Sequence, residues 1–79
     1  MNWHEFIISD DRILLGKPTI KGTRLSVELV LELLADGWTE QMLLESYPML
    51  TKTALQAIFA YTKECIGNEL YFEIAEEVV

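Results

Sequence analysis

Apolar and polar positions alternate along most of this chain with the period of a helix rather than a strand. Between Ser26 and Gly37, the residues Val27, Val30, Leu31 and Leu34 recur at i, i+3, i+4 and i+7, the stripe that faces a core. Glu28, Glu32 and Asp36 form an acidic line opposite, whose spacing on an outward face fits a solvated surface rather than a pair of catalytic carboxylates. Ser26 is suited to cap this helix, Glu28 to occupy its first turn and Gly37 to stop it, so the spacing predicts a first helix over 27–36. A second helix starts at a Thr39 cap and ends by Tyr47, because Pro48 pushes its predecessor out of the α region. Met42, Leu43 and Tyr47 supply its inner side. A third starts at a Thr51 cap and reaches Ile66, where Gly67 offers a stop; Leu55, Ile58, Phe59 and Ile66 are its expected buried stripe, and Lys52, Thr53, Gln56 and Lys63 look outward. The joints GWT and YPMLT are short enough to force a tri-helical unit with a helix-turn-helix pair inside it.

The flanks read differently. Near the N-terminus two apolar runs, FII and ILL, surround the polar tip SDDR, which predicts a short hairpin turning through Ser9–Arg12. An isolated hairpin is marginal in water, so it must lie on the helices or pair with another copy. The segment GKPTIKGTRLSV is punctuated by turn residues, and Gly22 is the residue expected to need a positive φ. GKPT is not a phosphate loop, since Asp11 stands where that motif needs glycine and Pro18 has no amide to donate. In the last dozen residues Tyr71, Ile74, Ala75 and Val78 lie on one side of a helical plot and Glu69, Glu73, Glu76 and Glu77 on the other. Leu70, Tyr71 and Phe72 also favour a strand, and the periodicity leaves both readings open. In either form Tyr71, Phe72, Ile74 and Val78 present apolar side chains in an acidic frame, suited to a hydrophobic groove with a basic rim. The predicted organisation is mainly α: a domain over 1–66, with a β-hairpin region (1–25) and three helices (26–66), followed by an acidic tail (67–79).

Composition narrows what such a unit does. At 79 residues a single domain hides only about 60% of its unfolded surface, yet 51% of this chain is hydrophobic, so a partner or a second copy is expected to cover the excess, most simply as a homodimer. The formal charge of −7 opposes nucleic-acid binding over the whole surface and favours a basic partner, while leaving room for a local basic patch. Neither a leader pattern nor an apolar run of membrane-spanning length is present, and a cytoplasmic location without membrane contact is expected. The lone Cys65 sits in an apolar helical pattern and reads as packing. With one histidine, His4, and that one cysteine, no nucleophile–base–acid set can be assembled, so no enzyme and no cofactor are expected. His4, Glu5, Asp10 and Asp11 match no metal-ligand spacing and read as exposed acids beside a histidine.

The stretch from Ser9 to Glu64 resembles the domain-of-unknown-function family 433. The resemblance is carried by Gly16-Lys17-Pro18, Ile20, Gly22-Thr23-Arg24, the Gly37-Trp38-Thr39 joint and Tyr47-Pro48 followed by Leu50-Thr51. Three departures stand out: Asp11 in place of a common proline, Leu15 in place of a frequent glycine, and Thr53-Ala54 in place of an acidic pair. The first two imply an altered strand-to-turn geometry, and the third removes negative charge beside the third helix. The resemblance implies a homeodomain-like or winged-helix-like fold and, for some members, the antitoxin (VapB-type) role in bacterial toxin–antitoxin pairs. On that reading the third helix lies in the major groove of double-stranded DNA, with Lys52, Thr53 and Gln56 facing the bases and Lys17, Lys21 and Arg24 touching phosphates. The partner would be a basic toxin protein. The alternative is a protein–protein interaction module without DNA binding, in which Arg24 pairs with a carboxylate and Lys52 and Gln56 are ordinary solvated positions.

Overall fold

A computed structural model gives the fold; it describes residues 1–78, with side chains through Gly67. Two short strands, β1 (Ile7–Ile8) and β2 (Thr19–Ile20), precede three helices, α1 (Val27–Ala35), α2 (Glu40–Ser46) and α3 (Lys52–Val78). The architecture is mainly helical, with a two-stranded antiparallel hairpin near the N-terminus.

Local chemistry sets each helix boundary. The side chains of Ser26, Thr39 and Thr51 accept from the backbone N–H groups of Leu29, Met42 and Ala54 at 3.0, 3.1 and 3.1 Å, so all three predicted caps are in place. α1 ends in a Schellman arrangement, in which the Trp38 N–H bonds the Leu33 carbonyl (3.0 Å) and the Gly37 N–H the Leu34 carbonyl (3.1 Å). That closure turns the chain directly into α2. Leu50 N–H bonds the Tyr47 carbonyl at 2.9 Å across the α2–α3 joint.

The hairpin differs from the predicted one. β1 pairs with Thr19–Ile20, in the register Ile7 to Ile20 and Ile8 to Thr19, while Ile13–Leu15 is not a strand. The Asp10–Ile13 turn leads into a short 3-10 segment, Leu14–Gly16, whose three residues all have positive φ, at 50°, 58° and 83°. A leucine held there costs about 1–2 kcal/mol, so the apolar run never becomes ladder. Thr19 wins the pairing because it is fully buried and its hydroxyl reaches the Ile8 carbonyl at 3.4 Å. β2 then folds back on its other side: Thr19 bridges to Ser26, Ile20 N–H bonds the Leu25 carbonyl at 2.9 Å, and the tip carries Gly22 at φ 81°. Thr23 locks that tip by donating to the Ile20 carbonyl (2.8 Å) and accepting from Leu25 N–H (3.0 Å). Gly22→Val is therefore expected to cost about 1–3 kcal/mol, read as a lowered urea midpoint. An unchanged midpoint would mean the tip tolerates a branched Cβ.

The core gathers Ile7, Ile20 and Leu25 from the hairpin layer, Val27 and Val30 from α1, Leu43 from α2, Leu50 from the joint, and Ala54, Leu55, Ala57 and Ile58 from α3. Of the other expected core residues, Leu31, Leu34 and Tyr47 pack against it half-buried and three lie outside it. Met42, Phe59 and Ile66 are exposed, because the buried stripes are narrower than predicted: α2 buries Leu43 alone, and the described buried residues of α3 are Ala54, Leu55, Ala57 and Ile58. Gly67 does not stop α3, which continues as one helix to Val78. A helical glycine costs only about 1 kcal/mol, less than a strong helical run on both sides can absorb.

Candidate nucleic-acid interface

The first turns of α3 are oriented by what they bury. With Ala54, Leu55, Ala57 and Ile58 turned inward, Lys52, Thr53 and Gln56 are left on the opposite side, and all three are exposed. Among the described residues none of these side chains has a hydrogen-bond or ion-pair partner. Four groups from α2 share a shallow groove with Lys52: Glu40, Gln41, Leu44 and Glu45. Gln41 Nε2 donates to Glu45 Oε1 at 3.0 Å, which occupies part of that carboxylate. The field at the head of α3 thus combines one ammonium with two carboxylates.

The loop cations form a separate group. Lys17 Nζ lies 3.2 Å from Glu28 Oε2, an exposed pair worth little. Lys21 and Arg24 are exposed beside the Gly22 tip without a partner among the described residues. Lys17 and Arg24 line a second groove together with Leu14, Leu15, Ser26 and Leu29. The structure therefore joins Lys52, Thr53 and Gln56 on one helical turn and Lys17 with Arg24 in one groove. No contact among the described residues links the two groups. Tyr71, Phe72, Ile74 and Val78, the expected partner-binding residues, lie beyond the side chains that the structure describes.

Other singled-out residues have structural occupations. Arg12 reaches Asp10 through its backbone N–H (2.9 Å), Nε (3.1 Å) and Nη2 (2.9 Å), and this side-chain contact first, then the backbone one, holds the Asp10 carboxyl below its ordinary range. His4 stacks on Trp3 with ring centres 3.7 Å apart. No group of three or more metal-ligating side chains exists among the described residues. Cys65 is exposed rather than packed, one turn beyond Tyr61. Burial chiefly, and then the neighbouring Cys65 thiol, pushes the Tyr61 phenol up from its usual range.

One contact gave no sequence signal. The Trp3 indole N–H donates to the Glu64 carboxylate, and its ring meets Tyr61 edge-on at 4.8 Å. The first 3-10 turn (Trp3–Glu5) is thereby clamped against the middle of α3. Nothing local in residues 1–5 encodes a bond to a side chain 61 positions away.

The same arrangement is found in a solved protein. The crystal structure of a DUF433 member protein from Anabaena variabilis superposes with a TM-score of 0.70 at 29% identity, over 87% of this chain and 67% of that one. The family model for "protein of unknown function (DUF433)" matches residues 7–62. The chain belongs to the DUF433 family. The match spans the hairpin, α1, α2 and the buried part of α3, so the DUF433 unit contains both the head of α3 and the loop cations. No protein of curated function matches the chain. Among the described residues, no helix of this DUF433 protein is long and apolar enough to cross a membrane.

Proposed function

We propose that this DUF433 protein is a small cytoplasmic regulator of the antitoxin kind, acting by binding rather than by catalysis. Its α3 reads double-stranded DNA, and a basic toxin protein is its partner. The observation that carries this reading is the head of α3. A cation, a hydroxyl and an amide stand free on one exposed turn behind a helix-turn-helix joint, the side-chain chemistry that touches phosphates and base edges.

Magnitude explains why a partner belongs in the proposal. Lys17 is engaged by Glu28 and Arg24 borders an apolar groove, which leaves Lys21 and Lys52 as the phosphate contacts of each copy. A dimer then neutralises about four phosphates, for a log–log salt slope near −4. Binding that weak needs help from a basic protein, and a chain of net charge −7 attracts one.

The test is fluorescence anisotropy of the full chain on a duplex taken from upstream of its own reading frame. Affinity is expected to fall about 100-fold between 50 and 200 mM salt. Absence of binding at 50 mM salt would favour the second reading, an interaction module without DNA contact. Glu40 and Glu45 beside Lys52 favour that alternative. A neighbouring reading frame whose small basic product co-purifies with this protein, and is toxic without it, supports the antitoxin role.

A further inference from the structure

The Leu14–Gly16 turn is closed by the Gly16 N–H on the Ile13 carbonyl (3.1 Å) and the Lys17 N–H on the Leu14 carbonyl (3.2 Å), yet it leaves an apolar side chain in solvent. Leu14 and Leu15 are the two non-glycine residues with positive φ among the described residues, and Leu15 is 93% exposed. A leucine in the left-handed region is disfavoured by its own Cβ, and asparagine or glycine would relieve it. Nor is the side chain compensated by burial, because it touches solvent almost everywhere. Cover by another molecule would remove that exposed apolar surface from water.

The surroundings specify that molecule's chemistry. Leu14, Leu15 and Leu29 give the groove an apolar lining, Arg24 gives it a cation, and Lys17 stands beside it in an exposed, weak pair with Glu28. Three of the six cations of the chain, Lys17, Lys21 and Arg24, fall within this short stretch. Its complement is an apolar segment bearing carboxylates. The stretch Glu69–Val79 has that composition, with Glu69, Glu73, Glu76 and Glu77 interleaved with Tyr71, Phe72, Ile74 and Val78 and no cation at all.

This stretch, to Val78, is the far end of α3. α3 is one unbroken helix from Lys52 to Val78, fixed to its own hairpin layer by the Trp3–Tyr61 and Trp3–Glu64 contacts. We propose that the Leu14–Leu15 groove is the docking site for the acidic C-terminal end of α3 from a second copy. Exchanged reciprocally, the contact closes a two-fold dimer with two identical charge-paired, apolar interfaces. It is read out as mass, so it stands or falls independently of duplex binding.

The experiment is light scattering and sedimentation of the full chain from low to high micromolar concentration, with thermal melts by circular dichroism as folding controls. The wild type is expected to dimerise. Leu15→Asn is expected to weaken the dimer at least tenfold while the chain still folds, since asparagine accepts the left-handed backbone. Lys17→Glu with Arg24→Glu should weaken it equally, and adding Glu73→Lys with Glu76→Lys should restore most of the loss. A wild type that stays monomeric, or a dimer indifferent to both groove variants, overturns the proposal. A dimer weakened by the groove variants but not restored by the charge swap overturns the choice of occupant.

Discussion

Leu43→Ala is expected to lower the unfolding free energy by about 2–5 kcal/mol, the usual cost of emptying a fully buried leucine site. The site qualifies because Leu43 has no exposed surface and is the one buried side chain of α2. α2 covers only Glu40–Ser46, far too short to stay helical without an anchor. A domain of this size carries a total stability of roughly 4–12 kcal/mol, so losing the anchor removes a large share of it. The melting temperature should fall by about 10–25 °C. Met42→Ala, one residue away but exposed, should stay within about 0.5 kcal/mol of the parent. Equal effects for the two variants would mean that α2 meets the core through a different face.

Lys52→Glu combined with Gln56→Glu should abolish duplex binding, by about 100-fold or more at 50 mM salt. Each copy loses its α3 phosphate contact and gains carboxylates beside Glu40 and Glu45, so attraction is replaced by repulsion. The fold should not register the change. Both positions are exposed, and a carboxylate in the first turns of α3 interacts favourably with the helix dipole. A melting temperature unchanged or slightly raised, together with lost binding, separates function from stability. Unaltered binding would take α3 out of the reader's role.

What the sequence made legible was local. The caps Ser26, Thr39 and Thr51 follow from a hydroxyl beside a helical stripe, and the stop at Gly37 from one residue's freedom at positive φ, so neither depends on distant partners. The outward placement of Lys52, Thr53 and Gln56 follows from helical periodicity alone. Pairing was less legible. Ile13–Leu15 and Thr19–Ile20 are both apolar enough for a strand, and the choice between them depends on Thr19 finding the Ile8 carbonyl inside the core. Exposure of Phe59 and Ile66 was hidden because a stripe's width is set by the neighbours it meets, and here it closes on Ala54, Leu55, Ala57 and Ile58. The Trp3 clamp on Glu64 was not readable at all, since its two partners lie 61 positions apart.

The unbroken course of α3 has a mechanical consequence. Its Lys52 turn and its far extremity are the two tips of a single rod about 40 Å long, with the globular body gripping it near one tip. A molecule that seizes the distal tip and tilts the rod also changes the angle at which the proximal tip meets whatever it touches. Where occupancy at one tip alters affinity at the other, thermodynamic reciprocity makes the converse effect equal in factor, so that two ligands that never meet are linked through one lever.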